Sequence, residues 1–292
     1  MKFRSGFLVK PGRPVDLQSV DPGSTGGYSD KASAEEKLER DIGRLCELQA
    51  VFTAAGRGAL LVIFQGMDGA GKDGAITHVM SGMNPQGVQV TSFRQPSTEE
   101  LRHDYLWRCV KAMPERGRIG IFNRSYYEDD LVTRVHRELL GDALPKGRAA
   151  QDQFWHHRYD DINAYERYLC RNGTRVVKFF LHLSKEEQRQ RLLARLKDRR
   201  KQWKFSVADV QQRAYWKKYR AAYEHTLSAT STPWAPWYVI PSDHKWFTRV
   251  AVADILVDRL KALHLSYPTL PAELRSKRRA TASLRRFVTR SV

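Results

Sequence analysis

A phosphate-binding loop is the feature that most constrains the fold of this chain. The segment from Gly66 to Lys72 reads GMDGAGK, and it follows an apolar run at residues 59–64 and precedes a helical pattern. Glycines let such a turn close around a phosphate, while backbone N–H groups and Lys72 supply positive charge. The order of strand, loop and helix favours a phosphate site over a glycine-rich turn without a ligand.

Further apolar runs place this loop in a larger sheet. They cover residues 88–93, 118–122, 175–183 and 237–240, and helical patterns separate them. Short apolar runs with polar flanks are typical of buried parallel strands. Strands that alternate with helices predict one doubly wound α/β domain.

Capping signals and composition set the domain boundaries. Ser33 and Glu36 fit a capping box that starts the first helix, and Gly56 ends it. Serines at 97, 184 and 206 mark further helix starts in the same way. We therefore expect an N-terminal arm at residues 1–32, a phosphate-loop domain at 33–267 and a basic C-terminal tail at 268–292, which we expect to be disordered or loosely docked.

The charge of the chain predicts an anionic partner. Lys and Arg number 50 against 32 Asp and Glu, a formal net charge of +18. Nucleic acid, an acidic membrane surface and a polyanionic small substrate all fit this balance, as does a merely solvated basic surface. An apolar signal core and a run of membrane-spanning length are both lacking, so we expect a soluble, cytoplasmic protein.

Carboxylates in the phosphate loop predict a metal ion. A carboxylate beside bound phosphate is repulsive unless a cation lies between them, and Mg²⁺ is commonly held by one or two carboxylates plus phosphate oxygens. Asp68 is the first candidate ligand. Asp73 stands where the motif expects Ser or Thr; it could bind metal directly or through water, or simply begin the helix, where negative charge is favoured.

A second polar segment follows the strand at 118–122 and reads IFNRSYYEDD. Ligands gather at the carboxyl ends of parallel strands, so Asn123 and Arg124 should emerge beside the phosphate loop. Asn123 occupies the place of a metal-binding Asp in many phosphate-loop kinases, and Arg124 suits phosphate. Glu128 could reach metal or an acceptor hydroxyl, and Asp130 is interpreted as part of a solvated helix start.

Two further groups of arginines are candidates. Arg94 follows the second strand and resembles the acceptor-phosphate Arg of thymidylate-kinase-like enzymes; a surface Arg is the alternative. The basic segment at about 187–216 has the composition of a lid, in which Arg191, Arg195 and Arg199 share a spacing of four. A solvated basic helix explains the same pattern.

Five segments in order resemble the polyphosphate kinase 2 family. They are GMDGAGKDG, NPQGVQVTSFRQPS, FNRSYYED followed by VTRVH, the lid segment with WKFS, and LSATSTPWAPWYVIPSDHKWF. The resemblance runs from about residue 21 to about residue 265. Asp73 after the loop lysine is usual in that family, and Glu128 after paired tyrosines is most similar to its class III branch. Asp130 departs from the apolar residue expected there.

The resemblance implies a three-layer fold similar to thymidylate kinase, with a five-stranded parallel sheet, flanking helices and a helical lid. It implies phosphoryl transfer from polyphosphate to AMP or ADP, with Mg²⁺ or Mn²⁺, by a homodimer or homotetramer. ATP is also among the adenine nucleotides that it implies as partners. Asp68, Lys72, Arg124 and Glu128 would be catalytic, with Asp68, Asn123 and Glu128 at the metal. Phosphate-binding roles would fall to Gly69, Gly71, Asp73, Arg94, Arg191, Arg195 and Arg199.

Two other functions fit parts of the sequence. An ATP-dependent nucleoside monophosphate kinase would also need the phosphate loop and the lid. A nucleic-acid-binding protein would explain the charge and the basic tail. The second is disfavoured, because the chain carries no recognised nucleic-acid module and the phosphate loop would have no role.

Overall fold

The computed structural model of the protein describes residues 6–269 and centres on a five-stranded parallel sheet. The strands are β1 (Ala59–Gln65), β2 (Val88–Ser92), β3 (Ile119–Asn123), β4 (Thr174–His182) and β5 (Trp237–Pro241). Their order across the sheet is β2-β3-β1-β4-β5, and every neighbouring pair is parallel. The predicted α/β class is confirmed, and each predicted strand lies within one residue of the observed bounds.

Helices cover both faces of this sheet within the described residues. They are α1 (Lys31–Ala55), α2 (Lys72–Val79), α3 (Trp107–Lys111), α4 (Glu128–Val135), α5 (Arg148–Arg171), α6 (Lys185–Lys197), α7 (Val207–Gln212), α8 (Trp216–Thr230) and α9 (Lys245–Lys261). Side chains alternate along β1, so Val62 packs with α1, α2 and α9 whereas Ile63 packs with α4, α5 and α8. Two apolar layers therefore hold β1 at the centre of the molecule.

The start of α1 differs from the prediction. Asp30 is the N-cap, and its carboxylate accepts from the Ser33 N–H at 2.8 Å. Ser33 lies inside the first turn and its hydroxyl donates to the Asp30 carbonyl. Because Asp caps a helix as well as Ser does, the helix begins after Asp30, the earlier of the two residues. Gly56 ends the helix in the left-handed conformation, as predicted.

The other predicted caps have mixed outcomes. Ser184 caps α6 by accepting from the Glu187 N–H, and Ser206 caps α7 by accepting from the Ala208 N–H. Ser97 and Glu100 do exchange reciprocal bonds, but the segment forms only the short 3₁₀ turn Glu100–Arg102. In the predicted lid, α6 and α7 are joined through the 3₁₀ turn Gln202–Lys204.

The N-terminal arm is bound to the outer edge of the sheet. Its Val9 N–H donates to the Trp237 carbonyl at 2.9 Å, and the Val239 N–H donates to the Phe7 carbonyl at 2.8 Å. Val9 and Leu17 are buried. The arm therefore pairs with β5 and covers an edge that would otherwise expose backbone groups.

Two predictions concern features outside the sheet. The basic tail that we predicted at 268–292 falls almost wholly outside the described residues. Within 6–269, none of the helices combines the length and the apolar character needed to cross a membrane.

Candidate active site

The phosphate loop leaves β1 and leads directly into α2. Gly69 and Gly71 have φ angles of 84° and 100°, which side-chain-bearing residues rarely adopt. Gly71 is the N-cap of α2, and its carbonyl accepts the first helical bond, from the Ala75 N–H at 2.9 Å. The glycines thus permit the tight turn from β1 into α2, and a glycine-rich turn that leads into a helix N-terminus is a common site for phosphate.

Lys72 is the first residue of α2 and lies buried under the loop. Its Nζ donates to the Gly66 carbonyl at 2.6 Å. Burial, then the neighbouring Arg124 charge, lowers the pKa of the Lys72 ammonium, while the Asp68 and Glu128 carboxylates oppose that shift. An ammonium held against the loop carbonyl is a compact positive charge next to the phosphate cradle.

Arg124 joins the turn after β3 to the phosphate loop. Its guanidinium donates to Asp68 Oδ1 at 2.5 Å and to Glu128 Oε2 at 3.5 Å. Burial alone would lower the pKa of Arg124, but the two carboxylates outweigh burial and raise it. The residue has φ of 66°, and its N–H donates to the Phe64 carbonyl at the end of β1. Two loops from adjacent strands therefore meet at one guanidinium.

Asn123 and Asp73 form a second link at the same edge of the sheet. The Asn123 side-chain amide donates to Asp73 Oδ1 at 2.8 Å. Asp73 lies in the first turn of α2, where a carboxylate is also favoured by the helix dipole. The carboxylate at the position usually held by Ser or Thr thus has a structural partner in β3.

The carboxylates of the site fit a divalent cation that binds together with substrate. Asp68 and Glu128 lie on either side of Arg124, and their side chains are 29% and 16% exposed. Among residues 6–269, no three or more His, Cys, Asp or Glu side chains form a ready-made metal cluster. Mg²⁺ usually takes one or two protein carboxylates and completes its shell with water and phosphate oxygens. The two carboxylates therefore suit that ion better than an all-protein metal site.

Arg191 lies behind the phosphate loop. Its side chain is buried, and it donates to the carbonyls of Gly69, Ala70, Ser242 and Asp243 at 2.9, 3.1, 2.5 and 2.9 Å and to the Glu187 carboxylate at 2.7 Å. A guanidinium carries five N–H donors, and these acceptors engage it on several sides. The contacts brace the loop from α6.

Arg195 and Arg199 have different surroundings from Arg191. Arg195 donates to Asp209 of α7 at 3.1 Å and is partly exposed. Arg199 is exposed and lies in a turn beyond the end of α6 at Lys197. The single row of arginines that we predicted therefore ends within the helix, and only its first two members share a helical face.

Arg94 lies after β2, at the same edge of the sheet. Its side chain is exposed, and its carbonyl accepts from the Arg108 guanidinium at 2.9 Å. Arg108 also donates to Asp129 in the first turn of α4 at 3.2 Å. The backbone at Arg94 is thus tied to the helix that starts at Glu128.

Asp130 corrects one prediction. We interpreted it as a solvated residue at a helix start, but its side chain is fully buried. The Thr226 hydroxyl donates to Asp130 Oδ2 at 2.6 Å, and burial raises the pKa of the carboxyl to about 6. The residue lies between α4 and α8. A buried position there agrees with the apolar residue that the family resemblance leads one to expect.

Some residues around the site were missed at the sequence level. Gln188 of α6 donates to the Asp68 carbonyl at 2.7 Å and accepts from Arg213 at 2.7 Å. On α8, the pKa values of Tyr219 and Tyr223 are raised by burial and next by the Glu128 charge, so both residues belong to the surroundings of that carboxylate. Their spacing of four was the available signal for the tyrosines. Gln188 gave none.

Comparison with known proteins agrees with this geometry. The family model described as "Polyphosphate kinase 2 (PPK2)" matches residues 28–267. An "ADP-polyphosphate phosphotransferase" of Rhodopseudomonas palustris is 50% identical over 272 residues, which are 91% of this chain and 93% of the relative. An "AMP/ADP-polyphosphate phosphotransferase" of Meiothermus ruber is 43% identical over 90% of this chain and 94% of the relative.

A solved structure shares the fold. The crystal structure of Polyphosphate Kinase 2 from Arthrobacter aurescens TC1 aligns with a TM-score of 0.86 and 41% identity, covering 96% of each chain. The match spans the sheet, the phosphate loop and the segment with α6 and α7. Sequence, relatives and fold agree, and this chain belongs to the polyphosphate kinase 2 family.

Proposed function

We propose that the protein transfers a phosphoryl group from inorganic polyphosphate to AMP and to ADP. The observation that carries this proposal is the meeting of Lys72, Arg124, Asp68 and Glu128 at the carboxyl ends of β1 and β3. Two cationic groups and two carboxylates around a phosphate loop are what phosphoryl transfer needs for positioning and charge stabilisation. The acceptors named for the two relatives, ADP in one and AMP or ADP in the other, support these substrates.

Polyphosphate is the donor that the charge of the chain fits best. It carries about one negative charge per phosphate unit, and a protein with a net charge of +18 can hold such a chain at many points. Arg195 and Arg199 lie partly or fully exposed on the predicted lid segment, and we assign them to the donor. Arg191 is engaged with loop carbonyls, so we assign it to support of the phosphate loop.

The acceptor nucleotide binds on the opposite side of Arg124 from the polyphosphate. Arg94 and Glu128 are the residues that we assign to it, since both follow strands at the β2–β3 side of the phosphate loop. Arg94 would contact the acceptor phosphate. Glu128 supports acceptance of both AMP and ADP, because its place after the paired tyrosines resembles class III sequences.

A divalent cation, Mg²⁺ or Mn²⁺, is the cofactor that we propose. Asp68 and Glu128 would hold it, with the Asn123 amide nearby. When bound, this ion neutralises part of the phosphate charge and aligns donor and acceptor oxygens. Asp73 remains linked to Asn123 and would act on the ion through that residue or through water.

The reaction itself needs no covalent enzyme intermediate. An oxygen of the acceptor phosphate attacks the terminal phosphorus of polyphosphate in line. The bond from that phosphorus to the bridging oxygen breaks, and the bridging oxygen keeps the electron pair and stays on the shortened polyphosphate. Lys72 and Arg124 stabilise the charge on the transferred group in the loose transition state, and the N–H groups at Gly69 and Gly71 orient it.

The proposal is tested by product analysis with purified protein, polyphosphate and Mg²⁺, offering AMP or ADP without ATP. We expect ADP and ATP from AMP, and ATP from ADP. ATP formed from ADP alone would discard AMP as a substrate and keep the donor. We also propose a homodimer or homotetramer, which light scattering of the same sample measures directly.

A further inference from the structure

A buried ion pair lies beneath the turn that carries Arg124. Glu166 of α5 and Lys178 of β4 are fully buried, and the Lys178 ammonium donates to Glu166 Oε2 at 2.6 Å. Lys178 also donates to the Tyr127 hydroxyl at 2.9 Å and to the Thr230 carbonyl at 2.7 Å. The hydroxyls of Tyr126 and Tyr127 both donate to Glu166 Oε1 at 2.8 Å. All three ammonium protons and both carboxylate oxygens thus have partners.

Stability alone is a weak reason for such a pair. Removing two charges from water is costly, and well-packed apolar residues in their place are often as stable or more so. The hydroxyls of Tyr126 and Tyr127 donate to the same Glu166 oxygen, so both tyrosine side chains are directed at one carboxylate. The ion pair therefore sets the orientation of the two tyrosine rings through hydrogen bonds, in addition to the packing around them.

The two tyrosines directly follow the turn that carries Arg124. Tyr126 and Tyr127 follow Arg124 and Ser125 and immediately precede Glu128. Arg124 has φ of 66°, a left-handed conformation that is unfavourable for a residue with a side chain and persists only where the surroundings impose it. On one side, the Arg124 N–H is held by the Phe64 carbonyl at 3.0 Å. On the other side, the hydrogen bonds of Ser125 stay within the turn, and the hydroxyls of Tyr126 and Tyr127 link the turn to Glu166 of α5.

We propose that Glu166 and Lys178 are positioning residues for phosphoryl transfer. By holding the hydroxyls of Tyr126 and Tyr127, they impose the backbone of the turn and so present the Arg124 guanidinium and the Glu128 carboxylate to the reacting phosphates. This inference rests on the proposed function. It assigns a role to a cluster of groups that themselves never touch substrate.

The first test is Glu166→Gln, which keeps the shape of the side chain and removes its charge. We expect kcat for polyphosphate-dependent ADP phosphorylation to fall on the order of tenfold or more, because small misplacements of catalytic groups have large effects. The matched control is Leu256→Ala, a buried residue of α9 on the opposite face of the sheet. It should lower Tm and leave kcat unchanged when both variants are assayed well below their Tm.

A second variant separates positioning from stability. The double variant Glu166→Gln/Lys178→Met removes the unpaired buried ammonium and should recover much of the Tm lost in Glu166→Gln. Positioning predicts that kcat stays low in the double variant, because the tyrosine hydroxyls have lost their ionic anchor. If kcat recovers together with Tm, or if Glu166→Gln keeps wild-type kcat, the proposal is overturned.

A readout without turnover keeps this inference distinct from the proposed function. The guanidinium Nε–H signal of Arg124 in ¹⁵N NMR spectra, assigned with Arg124→Lys, should shift in Glu166→Gln and stay in place in Leu256→Ala. An unshifted signal in Glu166→Gln contradicts positioning even if the wild-type protein phosphorylates no nucleotide. An inactive wild type with a shifted signal would instead contradict the proposed function alone.

Discussion

The Arg124 guanidinium donates to the Asp68 carboxylate at 2.5 Å, and this contact connects the turn after β3 with the phosphate loop after β1. The two strands are neighbours in the sheet and parallel, so their carboxyl ends meet. Since Arg124 also contacts Glu128, its guanidinium positions both carboxylates of the site. Substitutions here should change catalysis far more than stability.

Asp68→Asn should reduce kcat by roughly 10²-fold or more, because the amide loses the charge that holds the cation and orients Arg124. The pair is partly exposed, so its loss should cost about 1 kcal/mol of unfolding free energy or less. Steady-state kinetics and thermal unfolding measure both. Glu39→Gln, an exposed change on α1, controls for the loss of one charge. Near-wild-type turnover in Asp68→Asn would remove Asp68 from the metal site.

Arg191→Met should destabilise the protein and impair both substrates together. The change deletes donors to four backbone carbonyls, and the contacts with Ala70 and Ser242 are fully buried, which costs about 2–4 kcal/mol. The matched control is Arg189→Met on the same helix, where the guanidinium pairs with Glu186 at the surface and little stability should be lost. A rise in polyphosphate KM alone, with Tm unchanged, would show that Arg191 binds the donor instead.

Arg195→Gln should raise the KM for polyphosphate several-fold and leave the KM for ADP nearly unchanged. The residue is partly exposed beside Asp209 of α7, where it can face a long anion. The wild-type KM for polyphosphate should also rise with ionic strength, because exposed charge contacts are screened by salt. The slope of that dependence should be smaller in the variant. Equal effects on both substrates would contradict a donor-specific role for the segment.

Asp130 predicts a pH dependence of stability. Burial, against the opposing Thr226 hydroxyl and the Arg134 charge, raises the pKa of its carboxyl to about 6 from 3.8. The folded state then binds more protons than the unfolded state within this window, so unfolding free energy falls as pH rises through it. The loss is on the order of 3 kcal/mol and is complete above the folded pKa.

Asp130→Asn should abolish this component. The difference in unfolding free energy between the variant and the wild type, measured by denaturant titration from pH 4 to pH 8, should change in favour of the variant as pH rises. Subtracting the two curves cancels the contribution of every other titrating group that the substitution leaves undisturbed. Parallel curves would mean that the carboxyl has an ordinary pKa and that its burial carries no titration cost.

The sheet was predictable because buried parallel strands appear as uninterrupted apolar runs, and β1 with its glycine-rich turn is such a run. The position of Asn123 and Arg124 beside the phosphate loop followed from the same geometry, since the ends of adjacent parallel strands meet. Both predictions needed only local pattern and sheet topology. They did not depend on how individual side chains pack.

The sequence could not reveal which charged residues are buried. Arg191 has the same helical spacing as exposed arginines. Its acceptors include the backbone carbonyls of Ser242 and Asp243, and backbone acceptors cannot be recognised from residue types in a sequence. Asp130 follows two other acidic residues and looks like part of a solvated turn. The pairing of Glu166 with Lys178 joins α5 to β4 across only 12 residues, but neither residue differs in pattern from surface charges.

The most direct test of the account is the identity of the phosphoryl donor. Purified protein with Mg²⁺ and AMP would be given either polyphosphate or ATP as the sole donor, and ADP formation would be measured in each case. The account predicts ADP with polyphosphate alone, at a rate that Asp68→Asn suppresses. ADP formed with ATP but not with polyphosphate would contradict it and identify the protein as an ordinary nucleoside monophosphate kinase.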